Sequence, residues 1–161
     1  MSETPAKTRS KIMASIHSRN TKPELIVRRY LWNNGFRFRL NHPRLPGRPD
    51  IVLRKYKTCI FINGCFWHGH NCLNFRPPKT NIQYWNKKIN DNRARDLKVL
   101  NSLKDMGWHT ITIWECELSK DKREQTLESL IYTLNYIFLL NHNAKYPNID
   151  GEDQTMMAAE P

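Results

Sequence analysis

The segment Gly64-Cys65-Phe66-Trp67-His68-Gly69-His70-Asn71-Cys72 packs two thiols, two imidazoles and two large aromatic rings into nine residues. Thiolate and imidazole are the ligands zinc prefers, four at a time in a tetrahedron. Cys65, His70 and Cys72 lie close enough in one stretch to supply three of them. Cys116, 44 residues beyond Cys72, can complete the set if the chain returns to the same place. His68 competes for the histidine position, and small buried thiols beside polar loop histidines are the plain alternative. A histidine that the metal does not need can take a proton from water beside a bound phosphate; standing alone, His68 would be a solvated loop residue. Asp50 follows Pro49 and opens an apolar run, with Arg44, Arg48, Arg54, Lys55 and Lys57 around it. A carboxylate at a strand end amid phosphate-binding cations suits Mg²⁺, and metal-assisted phosphodiester hydrolysis is the corresponding reaction class. A turn aspartate capping its own backbone is the competing account. Asp96 falls on the flank of a helical apolar stripe, where an inward carboxylate needs a partner such as a histidine; otherwise it is an exposed acid pairing with Arg93 or Lys98. Phe66, Trp67 and Trp85 can wedge between or stack on bases, or pack into the core, for which Trp85, four residues before Ile89, is best placed.

The elements that must position these residues follow from periodicity and punctuation. Lys11 to Ser18 is a short helix candidate with Ile12, Met13 and Ile16 on one face. Thr21-Lys22-Pro23-Glu24 has the form of a capping box with proline in the first turn, and Asn33-Asn34-Gly35 is a left-handed stop. Phe36 to Leu40 alternates with period two and predicts a half-buried strand. After a loop with three prolines, Asp50 to Leu53 and Thr58 to Asn63 are two more strands around a basic turn. Residues 64–80 are loop. Asn81 to Met106 is a long helix stopped by Gly107, Trp108 to Trp114 is a strand, and Glu124 to Leu140 is a closing helix with Leu127, Leu130, Ile131, Leu134 and Phe138 on its core side. The third strand, long helix and fourth strand form a crossover, which makes those strands parallel. If they are neighbours, Cys65 and Cys116 emerge at one edge of the sheet. The fold class is therefore α/β, a mixed sheet flanked by helices.

The chain has 161 residues and a net charge of +11. Residues 141–161 hold one basic and four acidic residues, so the body carries +14 and the tail −3. A body this basic attracts a polyanion, because each cation at a phosphate releases a condensed counterion. Residues 1–7 and 141–161 are expected to be mobile, leaving a single domain at 8–140. The Leu130–Leu140 stretch is too short and polar to span a bilayer. The start lacks an apolar run behind its basic residues, so no secretory signal is expected. The expected place is the cytoplasm, where the four cysteines stay reduced.

Thr8-Arg9-Ser10-Lys11, Leu45-Pro46-Gly47-Arg48-Pro49-Asp50, Gly64-Cys65-Phe66-Trp67-His68 and Trp114-Glu115-Cys116 resemble the very-short-patch-repair (Vsr) DNA mismatch endonucleases. The resemblance spans about residues 8 to 140. It implies a restriction-endonuclease-like core, α-β-β-β-α-β, and an enzyme that nicks one strand 5′ of the thymine in T·G mismatches left by deamination of 5-methylcytosine. It implies catalytic Mg²⁺, structural zinc and a functional link to a cytosine-5 DNA methyltransferase. Carried over by position, Asp50 and the Ile62 carbonyl hold Mg²⁺. His68 is the general base, Asp96 orients it, and Glu24 reaches the waters of the metal. Cys65, His70, Cys72 and Cys116 hold zinc. Phe66, Trp67 and Trp85 form an aromatic wedge at the mismatch, with Met13 and Ile16 entering from the other groove, and Arg48 is a DNA contact. Asn63 stands where well-known members have histidine and cannot donate a proton as imidazolium does. Phe61-Ile62-Asn63 supplies neither the second acid nor the lysine of the usual PD-(D/E)xK nuclease motif. Three rivals remain: a zinc-stapled DNA-binding module without catalysis, a restriction-type nuclease acting on intact sites, and a plain interaction domain, which loss of binding at modest salt would separate.

Overall fold

The structure, a computed structural model, describes residues 19–142. The helix expected at Lys11 to Ser18, with Met13 and Ile16, lies outside that range, as does the tail from residue 143. Three helices and four strands follow in the order α1 (Lys22–Asn33), β1 (Arg39–Leu40), β2 (Ile51–Leu53), β3 (Thr58–Asn63), α2 (Ile82–Asp105), β4 (His109–Trp114) and α3 (Arg123–His142). The sheet order is β1-β2-β3-β4. The first three strands meander antiparallel, and β4 lies parallel to β3 in a register that pairs Asn63 with Trp114. This is the mixed, helix-flanked sheet of a restriction-endonuclease-like core. No described helix is long and apolar enough to cross a membrane.

Alternation along the strands sends side chains to two cores. Ile51, Leu53, Ile60 and Ile113 face Val27 and Leu31 of α1 and Leu127, Leu130 and Leu134 of α3. Val52 and Cys59 face Leu103 of α2, with Leu45, Val99 and Trp108 around them. Cys59 is fully buried, as its mid-strand position predicts.

Both expected glycine stops form Schellman caps. At the end of α1, the Gly35 N–H donates to the Trp32 carbonyl and the Phe36 N–H to the Leu31 carbonyl. At the end of α2, the Gly107 N–H donates to Lys104 and the Trp108 N–H to Leu103. Both glycines have positive φ, +82° and +76°.

Three local expectations change, and the turn after β4 takes a form the sequence did not specify. The strand predicted at Phe36 to Leu40 shrinks to Arg39–Leu40. Phe36 serves the α1 cap, and Arg37 and Phe38 instead wrap Trp32, the guanidinium 4.0 Å from its ring and Phe38 edge-on at 6.3 Å. At the start of α1, Thr21 does not bond the helix backbone. Its hydroxyl donates to Glu24 Oε1, and Glu24 Oε2 accepts the N–H of Asn20, one residue earlier than a capping box requires. Cys116 sits just past β4, in a one-turn 3₁₀ helix, Glu115–Leu118, held by the Glu117 carboxylate on the Trp114 N–H at 2.7 Å. Finally, Asn141 and His142 belong to α3 rather than to a tail.

Candidate active site and metal cluster

The parallel β3–β4 pair ends both strands at one edge of the sheet. Because β2 is antiparallel to β3, its start lies at that same edge, and Asp50 precedes it directly. The Ile62 N–H donates to Asp50 Oδ2 at 2.7 Å. A cavity of ≈ 760 Å³ opens there. Asp50, Ile62, Asn63, Trp67, His68 and Asp96 line it, with Glu24 from α1 and Arg48 from the proline loop.

Burial pushes the Asp50 carboxyl above its ordinary value. The Ile62 N–H pulls it back down, the neighbouring Glu24 carboxylate pushes it up again, and Arg28 and His68 lower it. A half-buried carboxylate with a second carboxylate in its field is a donor set that a hard cation satisfies. The fit to Mg²⁺ rests on that chemistry, with Ile62 against Asp50 and a cavity large enough for water and phosphate ligands. Glu24 is nearly fully buried and already engaged: Arg28 Nη2 donates to its Oε2 at 2.6 Å. It therefore faces the cavity as part of a buried ion pair.

His68 and Asp96 meet. The imidazole Nδ1 bonds the Asp96 Oδ2 carboxylate oxygen, so Asp96 pairs with neither Arg93 nor Lys98. An ionised carboxylate only accepts, which places the proton on Nδ1 and leaves Nε2 free to take another.

Cys65, His70, Cys72 and Cys116 also converge, with their ligand atoms all within 4.8 Å of one another. Cys116 Sγ lies 3.5 Å from His70 Nδ1. Tetrahedral zinc would hold such a sulfur–nitrogen pair about 3.6 Å apart, given its usual bond lengths, so the cluster fits that ion. Burial pushes the Cys65 thiol up to about 12 in the metal-free chain. Cys59 is pushed to the same value by burial but belongs to no such cluster among the described residues. His68 is not in the cluster, which resolves its competition with His70.

The three aromatic residues form one cluster of edge-to-face and tilted rings. Phe66 lies 5.4 Å from Trp67 and 5.1 Å from Trp85, and the two indoles are 5.8 Å apart. All three are half-buried.

Several residues of the site were not expected from sequence. Trp114 stacks on His70 at 4.0 Å with parallel rings. Asn92 Nδ2 donates to the Trp67 carbonyl at 2.8 Å, and Arg93 Nε donates to the His68 carbonyl at 2.9 Å. Arg95, also in the cavity wall, donates to Asn92 Oδ1. The signal for Asn92 was present: Trp85, Ile89, Asn92, Asp96, Val99 and Leu103 share one helical stripe, and an amide on such a stripe must bond something. Arg93 and Arg95 carried no such signal, because nothing in a run of surface cations separates an engaged guanidinium from a solvated one.

A sequence model of the family described as DNA mismatch endonuclease Vsr matches residues 3–74. The chain is 51% identical over 110 residues to the type II nicking enzyme V.NmeAIP of Neisseria meningitidis, covering 68% of this chain and 79% of that protein. It is 45% identical over 108 residues to the type II nicking enzyme V.XorIIP of Xanthomonas oryzae, covering 67% and 79%. It is 40% identical over 123 residues to the DNA mismatch endonuclease Vsr of Escherichia coli, covering 76% and 78%. The chain belongs to the Vsr family, and it is a DNA endonuclease.

Proposed function

We propose that this endonuclease nicks one strand of duplex DNA on the 5′ side of the thymine in a T·G mismatch, the product of 5-methylcytosine deamination. The carrying observation is the His68–Asp96 pair, open to the cavity that holds the half-buried Asp50. His68 takes the proton of the attacking water at Nε2, while Asp96 holds the Nδ1 proton and fixes the tautomer. Asp50 and the Ile62 carbonyl are the groups that would hold Mg²⁺. When bound there, the ion would stabilise charge on the phosphate oxygens. Glu24, whose oxygens already accept from Arg28, Thr21 and Asn20, would reach the waters of that ion with its remaining lone pairs. Asn63, an amide in the cavity wall, can bond a phosphate oxygen but cannot protonate the leaving group.

Cys65, His70, Cys72 and Cys116 hold a structural zinc ion. The aromatic cluster of Phe66, Trp67 and Trp85 enters the duplex at the mismatch, with Met13 and Ile16 arriving from the other groove and Arg48 on a phosphate. The enzyme works as a monomer, a single domain over residues 8–140, in the cytoplasm, downstream of a cytosine-5 DNA methyltransferase. The names of the relatives as nicking enzymes and as a mismatch endonuclease support single-strand cleavage and the mismatch.

The test is a labelled T·G duplex beside its T·A control, with and without Mg²⁺, in several methyltransferase sequence contexts. Mg²⁺-dependent nicking of the thymine strand alone is expected. Cleavage of both strands of the matched control would favour a restriction-type enzyme, and binding without cleavage in every context would favour a DNA-binding module.

A further inference from the structure

The segment from Trp67 to His70 joins two centres. At one end the His68 ring is bonded to Asp96; at the other His70 lies in the metal cluster and stacks on Trp114. Between them is Gly69, with φ of +59°. A glycine at positive φ is the place where a backbone turns most freely, so something must fix it for His68 to keep one direction. The fixing comes from α2. Asn92 Nδ2 donates to the Trp67 carbonyl at 2.8 Å, Arg93 Nε to the His68 carbonyl at 2.9 Å, and Arg93 Nη2 to the Gly69 carbonyl. Three successive carbonyls are thus held by two adjacent helix residues. The approach is close: a Cβ on Gly69 would stand 2.6 Å from Ile89 Cγ2 and 2.7 Å from Arg93 Nη2.

We infer that Arg93 is a positioning residue of the reaction, a guanidinium clamp on the backbone of residues 68 and 69 that aims the His68 imidazole and ties it to the metal cluster. Two donors of one planar, permanently charged group fix two neighbouring carbonyls, which a single neutral donor cannot do. Those donors point at the protein's own backbone, so the role differs from that of a cation on a DNA phosphate. The inference rests on His68 being the general base.

The test uses the full-length, metal-loaded protein. Arg93→Met keeps the length of the side chain and removes the donors; Arg93→Lys restores one of them. Arg93→Met is expected to lower the single-turnover nicking rate of a T·G duplex about 10- to 100-fold, the usual cost of losing a residue that orients a reacting group. Binding of the duplex should stay within about threefold, zinc content should not change, and Arg93→Lys should recover part of the rate. In the imidazole region of the proton NMR spectrum, the His68 Nδ1 proton should weaken or vanish in Arg93→Met. In a His68→Ala background, Arg93→Met should add no further loss, because a group that only aims His68 has nothing left to aim. An equal loss in that background, or a loss confined to binding, overturns the inference. An unaltered His68 resonance in Arg93→Met overturns the clamp alone. Nicking at the native rate by His68→Ala overturns the base assignment and, with it, the catalytic half of this inference.

Discussion

Asp50→Asn should make the protein more stable and catalytically dead. Asp50 sits just before β2, where burial, the largest influence, and the neighbouring Glu24 carboxylate raise its carboxyl more than the Ile62 N–H, Arg28 and His68 lower it. A carboxyl whose value is raised on folding favours the folded state when protonated. That contribution is complete below the ordinary carboxylate range and lost as pH rises through the raised value. At neutral pH, in metal-free buffer, the ionised group is therefore a burden on the fold. Asparagine removes the charge and keeps an oxygen for the Ile62 N–H. A bond to a charged acceptor is worth about 2 kcal/mol and one to a neutral acceptor about 1, so roughly half of that bond survives. Burial is a larger influence on Asp50 than the Ile62 bond, and the Glu24 repulsion adds to it, so the sign is a gain. About 1 kcal/mol is the usual size of a stabilising change at a functional group, or about 3 °C in Tm for a chain of this length.

The assay is thermal unfolding of zinc-loaded protein without Mg²⁺ and without chelator, at neutral pH and at mildly acidic pH. The gain should shrink as pH falls, because wild-type Asp50 then becomes protonated and loses its penalty. Added Mg²⁺ should raise the Tm of the wild type and leave Asp50→Asn unmoved, since an ion binding only the native state stabilises it by mass action. The variant should still bind T·G duplex. Equal or lower stability at neutral pH, or a gain that grows on acidification, would refute the electrostatic argument; persistent nicking would refute the role of Asp50 as a metal ligand.

Removing the cluster metal with a strong chelator, or substituting Cys116→Ser, should cost about 4 kcal/mol, since loss of a structural metal is among the few mechanisms that reach this size; unchanged unfolding after verified metal removal would count against the cluster. Metal retention should fall as pH falls, because protons compete for thiols such as Cys65 that burial already pushes up, and a metal-sensitive dye in a pH series reads it directly. Gly47→Ala should destabilise by about 3 kcal/mol, because Gly47 has φ of +70° and a Cβ would stand 2.4 Å from Val99 Cγ1; adding Val99→Ala should recover the part due to the clash, and no recovery would mean the backbone angle alone sets the cost. Trp85→Ala should weaken mismatch binding by about 10- to 100-fold through lost stacking, read by titration against matched and mismatched duplexes, and equal losses on both would argue for packing instead.

What could be read from the chain follows how locally each feature is determined. Glycine after a helical stripe marked both stops, because a left-handed residue with no Cβ is needed wherever a Schellman cap forms. The crossover between β3 and β4 followed from strand, helix and strand in sequence, and with it the return of Cys116 to Cys65. The meeting of His68 with Asp96 was legible as a carboxylate on an apolar stripe needing a partner. The shortened β1 was not legible, since Phe36 to Leu40 has perfect alternation and only the α1 cap and the Arg37–Trp32 stack divert its first half. The Arg93 bonds were illegible for a different reason: they depend on the rotation of α2 against a loop that itself has no periodicity. Trp114 escaped because a strand-end aromatic looks the same whether it packs in a core or stacks on a metal-site histidine.

Under the proposed roles of Asp50 and Asp96, the distribution of carboxylates accounts for how the nuclease fold would work with Phe61-Ile62-Asn63 where the usual motif places an acid and a lysine. That stretch of β3 presents no titratable side chain to the cavity, so a strand-borne base is not available. The compensation comes from outside the sheet. Asp50 stands half-buried and unfavourably charged, which suits it to a cation; Asp96 lies on α2 and is spent on His68, which suits it to holding a tautomer. Environments that set two carboxylates to two tasks are the means by which one site separates metal binding from proton transfer. The histidine, however, is carried on a loop, and loops are poor platforms for a reacting group. Three anchors correct this: Asp96 on the ring, Arg93 and Asn92 on the backbone, and the Cys65–His70–Cys72–Cys116 cluster at the far end. With zinc in that cluster and His68 as the proposed base, the metal would do more than add stability, because it would close the loop that carries the base, and its loss should slow nicking at temperatures where the sheet and its two cores are still folded.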